Sequence, residues 1–217
     1  MSKAFLFDLN GTMIDDMHYH LDVWYHVLVH QLGATLSREE VRSHMYGKNG
    51  ELLDRVFGPG SFTEEEVARI SHDKEVQYQA IYQPHLHLIE GLPAVLARAK
   101  SNQVKMAIGS AAIPFNIDFV LDNLNIRHYF DAIVSADDVT LSKPHPEVFL
   151  KGAHLLHTAP SDCVVFEDAP KGVEAAHRAG MKAVAITTLH TPEEFGDLSN
   201  ILFFIKDYTD PRLATLF

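Results

Sequence analysis

Lys3-Ala4-Phe5-Leu6-Phe7-Asp8-Leu9-Asn10-Gly11-Thr12-Met13-Ile14-Asp15-Asp16 is the stretch on which the reading of this chain turns. Its head is an apolar run rich in Phe and Leu, too short for a helix and stopped by Asp, Asn and Gly, which predicts a buried strand ending in a tight turn. Open α/β sheets bind ligands at the carboxyl ends of their strands, so Asp8 stands where chemistry is expected. It is the candidate nucleophile or metal ligand. An acidic turn after an apolar strand also occurs as a plain surface turn, and the rest of the chain has to decide between the two.

Outward from this stretch the pattern is helical to about residue 90. Residues 16–32 carry Tyr19, Val23, Trp24, Val27 and Leu28 at near-helical spacing, with Gly33 placed to close the helix. Ser37-Arg38-Glu39-Glu40 and Thr63-Glu64-Glu65-Glu66 have the form of capping boxes, the second opening a long segment to about Tyr82. Between them Tyr46-Gly47-Lys48-Asn49-Gly50-Glu51 reads as a polar loop leading into Leu52, Leu53, Val56 and Phe57. The expectation is a bundle of four short helices without a strand.

From residue 91 helices and strands alternate. Strands are expected at 104–108, 132–135, 163–166 and 182–186, and helices at 92–99, 115–124, 146–156 and 170–179. That alternation predicts a parallel sheet with helices on both faces. The tail, 201–217, should add an edge strand and a terminal helical turn. The helical block is therefore an insertion, crossed by the chain near residues 15 and 87, and two crossings allow a hinge.

Composition narrows the function classes. With 217 residues, 47% of them hydrophobic, the chain can bury a proper core in one large or two modest domains. A net charge of −11 argues against nucleic acid or an anionic membrane as partner. A small anionic substrate would then need local positive charge, such as a metal ion. The single cysteine, Cys163, fits a reducing compartment and reads as a buried strand residue. No apolar run reaches the roughly 18 residues of a membrane span, and the first twenty residues lack the form of a leader. The expectation is a soluble, cytoplasmic monomer. His26 and His30 lie four apart on one helix but find no third ligand in the sequence, and read as a solvated face.

Four strand ends carry polar residues in a fixed order: Asp8, then Ser110, then Lys143 in Leu141-Ser142-Lys143-Pro144, then Glu167-Asp168. This order resembles the four motifs of the haloacid dehalogenase superfamily, whose first motif reads Asp-x-Asp-x-Thr or Val. Asp15, His20 and Trp24, together with Glu167-Asp168-Ala169-Pro170-Lys171-Gly172, are similar to the β-phosphoglucomutase-like branch with an α-helical cap. The resemblance implies a doubly wound parallel sheet, a Rossmann-like core from residues 1–14 and 88–217, with an all-α cap inserted at 15–87.

It also implies a set of roles. Asp8 would be the nucleophile; Asp8, Asp168 and the backbone carbonyl of Asn10 would hold Mg²⁺, with Glu167 orienting its water. Lys143 would neutralise Asp8 and the phosphoryl group, while Thr12, Ser110 and Ala111 would bind phosphoryl oxygens. In the cap, His20 and Lys48 are the candidates for contact with substrate. Physically, phosphoryl transfer to a carboxylate brings two anions together and needs positive charge between them. The implied function is magnesium-dependent phosphoryl transfer through an aspartyl-phosphate on a small phosphorylated metabolite such as a sugar phosphate.

Asn10 departs from the pattern, because the second Asp of the motif is the general acid and base in the resembling enzymes. Such a group contributes about 10²–10⁴-fold. Three readings stand open: a substitution engineered to trap a complex, a native enzyme whose leaving group needs no proton, or a binding relative with little turnover. Asn10-Gly11 is also prone to deamidation. Mutases of this branch place an Arg in the cap loop and Lys-Asn after the second-motif Ser; here the loop reads Gly47-Lys48-Asn49-Gly50, and Ser110 precedes Ala111-Ala112-Ile113-Pro114. Both departures favour a phosphatase, with a hexose phosphate mutase second.

Overall fold

The computed structural model describes residues 4–217. Met1 and Ser2, assigned above to the core domain, and Lys3, at the head of the quoted stretch, lie outside the described residues. The chain divides into two compact units, one formed by the chain up to Asp15 with His87–Phe217 and the other by Asp16–Leu86.

In the first unit six strands form one sheet: β1 (Ala4–Phe7), β2 (Lys105–Gly109), β3 (Ala132–Val134), β4 (Cys163–Glu167), β5 (Lys182–Ile186) and β6 (Ile201–Ile205). Their order is β3-β2-β1-β4-β5-β6, and every pairing is parallel. The chain winds outward from β1 to β3 and then returns to the other side of β1, so the winding reverses there and opens a crevice at the carboxyl ends of β1 and β4. The central strands are buried on both faces, which explains why β1 and β4 read as unbroken apolar runs.

Side chains still alternate across the sheet. Leu6, Ala107, Val165 and Ala183 join one core with Phe149 and Ala153 of α7 (Glu147–Leu155) and Val173 and Ala176 of α8 (Pro170–Arg178). Phe5 and Phe7 turn the other way and meet Phe166 at ring-centroid distances of 5.3 and 4.6 Å. Helices α5 (Leu92–Ser101) and α6 (Pro114–Asn123) complete the alternation read from the sequence. As expected, β6 lies at an edge and is followed by a helical turn, Pro211–Leu216.

The second unit is helical throughout: α1 (Met17–Tyr25), α2 (Arg38–His44), α3 (Asn49–Phe57) and α4 (Glu64–Tyr82). Both capping boxes form, with Ser37 N–H donating to Glu40 Oε2 at 2.8 Å and Thr63 N–H to Glu66 Oε2 at 2.8 Å. Two details differ from expectation. The helix expected over 16–32 is α-helical only to Tyr25 and continues as a π-helix, His26–Gln31. The Lys48 N–H donates to Glu51 Oε2 at 3.0 Å, which draws Asn49 and Gly50 from the expected loop into the first turn of α3. As expected, α4 is the long segment, running for 19 residues to Tyr82. Among the described residues no helix is long and apolar enough to cross a membrane.

Candidate active site

Register builds the site. Phe7 pairs with both Ile108 and Phe166, so Asp8 and Glu167 emerge level from adjacent strands, with Ser110 and Asp168 one residue further along. Asp8 is held at its backbone by an N–H to Phe166 O bond of 3.0 Å, and the residue is 8% exposed. Lys143 reaches in from the segment after β3 and donates to Asp8 Oδ1 at 2.6 Å and to Glu167 Oε1 at 2.8 Å. The other Glu167 oxygen accepts from Ala169 N–H at 2.8 Å, so both ends of that carboxylate are fixed.

Asp8, Glu167 and Asp168 each place a carboxylate oxygen within 4.8 Å of the others. Burial drives the Asp8 carboxyl up to about 7, Glu167 pushing the same way and Lys143 opposing. Asp168 is raised well above its ordinary value, first by burial and then by the charges of Glu167 and Asp8. For Lys143 burial works against the ammonium, but the two adjoining carboxylates outweigh it and hold its pKa above the ordinary value. Three acids against one base is an excess of buried negative charge that only protons or a cation can relieve. The all-oxygen donor set fits a hard divalent ion.

Two glycines are required by this crowding. A Cβ on Gly11 would lie 2.1 Å from Asp168 Oδ2, and one on Gly172 would lie 1.8 Å from Glu167 Oε1. Gly11 also has φ +73°, a conformation side chains disfavour.

The remaining expected residues are placed as follows. Ser110 is buried at the end of β2, with its N–H on Val134 O at 3.0 Å and its hydroxyl accepting from Ala112 N–H at 3.1 Å, and Ala111 beside it is half-buried. Thr12, expected at a phosphoryl oxygen, is fully buried, and its hydroxyl donates to Asp168 Oδ1 at 3.1 Å. Asn10 is half-buried, with its backbone bridged to Ile14. His26 and His30 are exposed, and the described residues complete no histidine metal site. Cys163 is buried in β4.

His20 and Lys48 belong to the helical unit. Lys48 is half-buried as the residue that precedes α3. His20, expected as a substrate contact, takes part in a buried polar network within that unit. Its Nδ1 lies 2.6 Å from Lys74 Nζ and its Nε2 3.2 Å from Asp16 Oδ2, and its ring stacks on Tyr78 at 3.9 Å. Lys74 also donates to both oxygens of Glu75 at 3.0 Å, and Asn49 donates to Glu75 at 2.9 Å. Sequence reasoning missed Asp16, Lys74 and Glu75. A signal existed: Ile70, Lys74, Tyr78 and Tyr82 recur every fourth residue, so Lys74 lies on the apolar stripe of α4 and is buried with it.

Comparison with known proteins agrees with this geometry. Residues 5–186 match the family model described as haloacid dehalogenase-like hydrolase. A fructose-1-phosphate phosphatase of Escherichia coli (strain K12) is 32% identical over 85% of this chain and 96% of its own. The β-phosphoglucomutase of Bacillus subtilis (strain 168) is 31% identical over 85% of this chain and 83% of its own. Among solved structures, that of β-phosphoglucomutase from Clostridium difficile superposes with a TM-score of 0.82 at 30% identity, covering 96% of this chain and 92% of that one.

Proposed function

The chain belongs to the haloacid dehalogenase-like hydrolase family, in its β-phosphoglucomutase-like branch, and from that premise we propose that it is a phosphatase acting on a small phosphorylated metabolite such as a sugar phosphate. The observation that carries the reading is the convergence of Asp8, Lys143, Glu167 and Asp168 at the carboxyl ends of β1 and β4.

In this reading a carboxylate oxygen of Asp8 attacks phosphorus and the bond from phosphorus to the ester oxygen breaks, leaving an aspartyl-phosphate. Water then cleaves that acyl phosphate, releasing phosphate and restoring Asp8. Lys143 favours the ionised form of Asp8 needed for attack and places a fixed positive charge beside the transferring oxygens. Glu167 holds Lys143 in place. Asp8, Asp168 and the Asn10 backbone carbonyl would hold magnesium, which when bound supplies the further positive charge that lets two anions meet. Asn10 cannot give the leaving oxygen a proton, so substrates with good leaving groups should turn over best.

Support for a phosphatase comes from the relatives that hydrolyse phosphate esters and from the residues after Ser110, which lack the Lys-Asn pair. Mutase activity is the second reading, favoured by the likeness to the β-phosphoglucomutases. Lys48 is kept as the specificity candidate of the helical unit: Lys48→Ala should reorder substrates more than it slows the smallest one. The buried single cysteine supports a reducing compartment such as the cytoplasm, and the charge of −11 argues against nucleic acid or an anionic membrane as partner. The test is phosphate release from a panel of sugar phosphates and acyl phosphates, with and without magnesium, beside conversion of β-glucose 1-phosphate to the 6-phosphate. Release from no member of the panel, with no conversion, would overturn the enzymatic reading in favour of a binding protein.

A further inference from the structure

Three successive carbonyls of the loop after Asp8 each accept a hydrogen bond from a different distant part of the first unit. Gly11 O accepts from Thr188 Oγ1 at 2.6 Å, Thr12 O from the Tyr208 hydroxyl at 3.0 Å, and Met13 O from Ile89 N–H at 2.9 Å. The amides of the same loop are engaged on the opposite side, with Thr12, Met13 and Ile14 N–H all directed at Leu9 O at 3.3, 2.8 and 3.4 Å. The loop is thus held on both its edges. Neither Thr188, just beyond β5, nor Tyr208, just beyond β6, belongs to the four strand-end motifs.

Tyr208 is itself fixed. Its N–H donates to Glu90 O at 2.9 Å, and a Cβ on Gly91 would lie 2.5 Å from its carbonyl carbon, so the two backbones touch. Its ring meets Phe166 at 5.8 Å, and the residue is 3% exposed. Such a hydroxyl has one position available to it, and that position is on Thr12. Thr12, fully buried, then passes the constraint on, because its own hydroxyl donates to Asp168 Oδ1 at 3.1 Å.

We propose that Tyr208 is a positioning residue of the site, fixing the Thr12 peptide so that the Thr12 hydroxyl holds Asp168 in the orientation that binds a divalent cation, with Thr188 doing the same for the neighbouring Gly11 peptide. The inference rests on the phosphoryl-transfer reading above. Replacing Tyr208 by Phe keeps the ring against Phe166 and removes only the donor, and Thr188→Val is the matching isosteric change.

The test is a magnesium titration of the full chain followed by thermal shift without substrate, together with kcat and KM on the best substrate of the panel. Tyr208→Phe is expected to raise the half-saturating magnesium concentration and to lower kcat, each by about 2–10-fold, the weight of one buried hydrogen bond, with KM little changed. A variant that melts lower but keeps the wild-type magnesium midpoint and kcat would show a purely structural hydroxyl and overturn the proposal. If Tyr208→Phe does not fold, Thr188→Val decides by the same two readouts, and wild-type values there overturn it. A wild-type protein with no magnesium-dependent shift and no phosphate release overturns the reading of the site itself, which separates that failure from this one.

Discussion

Replacing Asp168 by Asn should make the metal-free protein more stable, although it removes a carboxylate central to the site. Asp8, Glu167 and Asp168 each offer an oxygen within 4.8 Å of the others. Among the described residues Lys143 alone forms salt bridges to the group, and it reaches Asp8 and Glu167. Two unit charges at that separation repel by about 3.5 kcal/mol at an effective dielectric of ~20. Asp168 faces two such repulsions and relieves them by holding a proton, which is why burial and its two acidic neighbours raise its carboxyl so far. A carboxyl raised in the folded state takes up a proton on folding. Its contribution is whole below the unfolded pKa, near 4, and is lost as pH climbs toward the folded value, by at most about 1.4 kcal/mol per pH unit.

Asn keeps the protonated shape at every pH and still offers Oδ1 to the Thr12 hydroxyl. Asp168→Asn should therefore exceed wild type by about 1–3 kcal/mol at pH 8 in chelator, the gap closing toward pH 4. Magnesium should reverse the order, since a ligand at a hundred times its Kd adds about 2.7 kcal/mol to a protein that binds it and nothing to one that does not. Urea denaturation at pH 4, 6 and 8, with magnesium or chelator, reads out all of this. A variant less stable than wild type at pH 8 in chelator would refute the idea of excess buried negative charge.

Gly172→Ala should force Glu167 off Lys143, because the new Cβ would lie 1.8 Å from Glu167 Oε1; the expected cost is about 1–3 kcal/mol of stability with a fall in kcat, and denaturation with steady-state kinetics would expose an innocuous substitution. Asn10→Asp should raise turnover of alkyl phosphates by about 10²–10⁴-fold, roughly 3–5 kcal/mol of barrier, and acyl phosphates less. Equal gains on both classes, or none, in a phosphate-release assay would remove this position from proton transfer. In the helical unit Lys74→Met should cost about 3–5 kcal/mol by stranding the buried Glu75 carboxylate, and adding Glu75→Gln should recover part of it. A chemical-denaturation double-mutant cycle giving additive losses would show that the pair is not coupled.

The sequence by itself determined the order of strands and helices along the chain, the two capping boxes, the insert and the strand ends that bear Asp8, Ser110 and Glu167-Asp168, while Lys143, read as a fourth strand end, lies in the long segment after β3. These are local properties: apolar run length sets a strand, Ser-x-x-Glu starts a helix, and alternation in a chain of this length leaves a parallel sheet as the way to bury both faces. Tertiary structure alone decided what each polar group touches. That Thr12 serves Asp168, that Thr188 and Tyr208 hold the loop from 177 and 196 positions away, and that His20 is buried against Lys74 depend on contacts between residues far apart in the chain. A hydroxyl or an imidazole carries the same signature in sequence whether it faces water or a buried carbonyl, because the periodicity that betrays burial is written in apolar residues, and a lone polar residue among them leaves its partner unnamed.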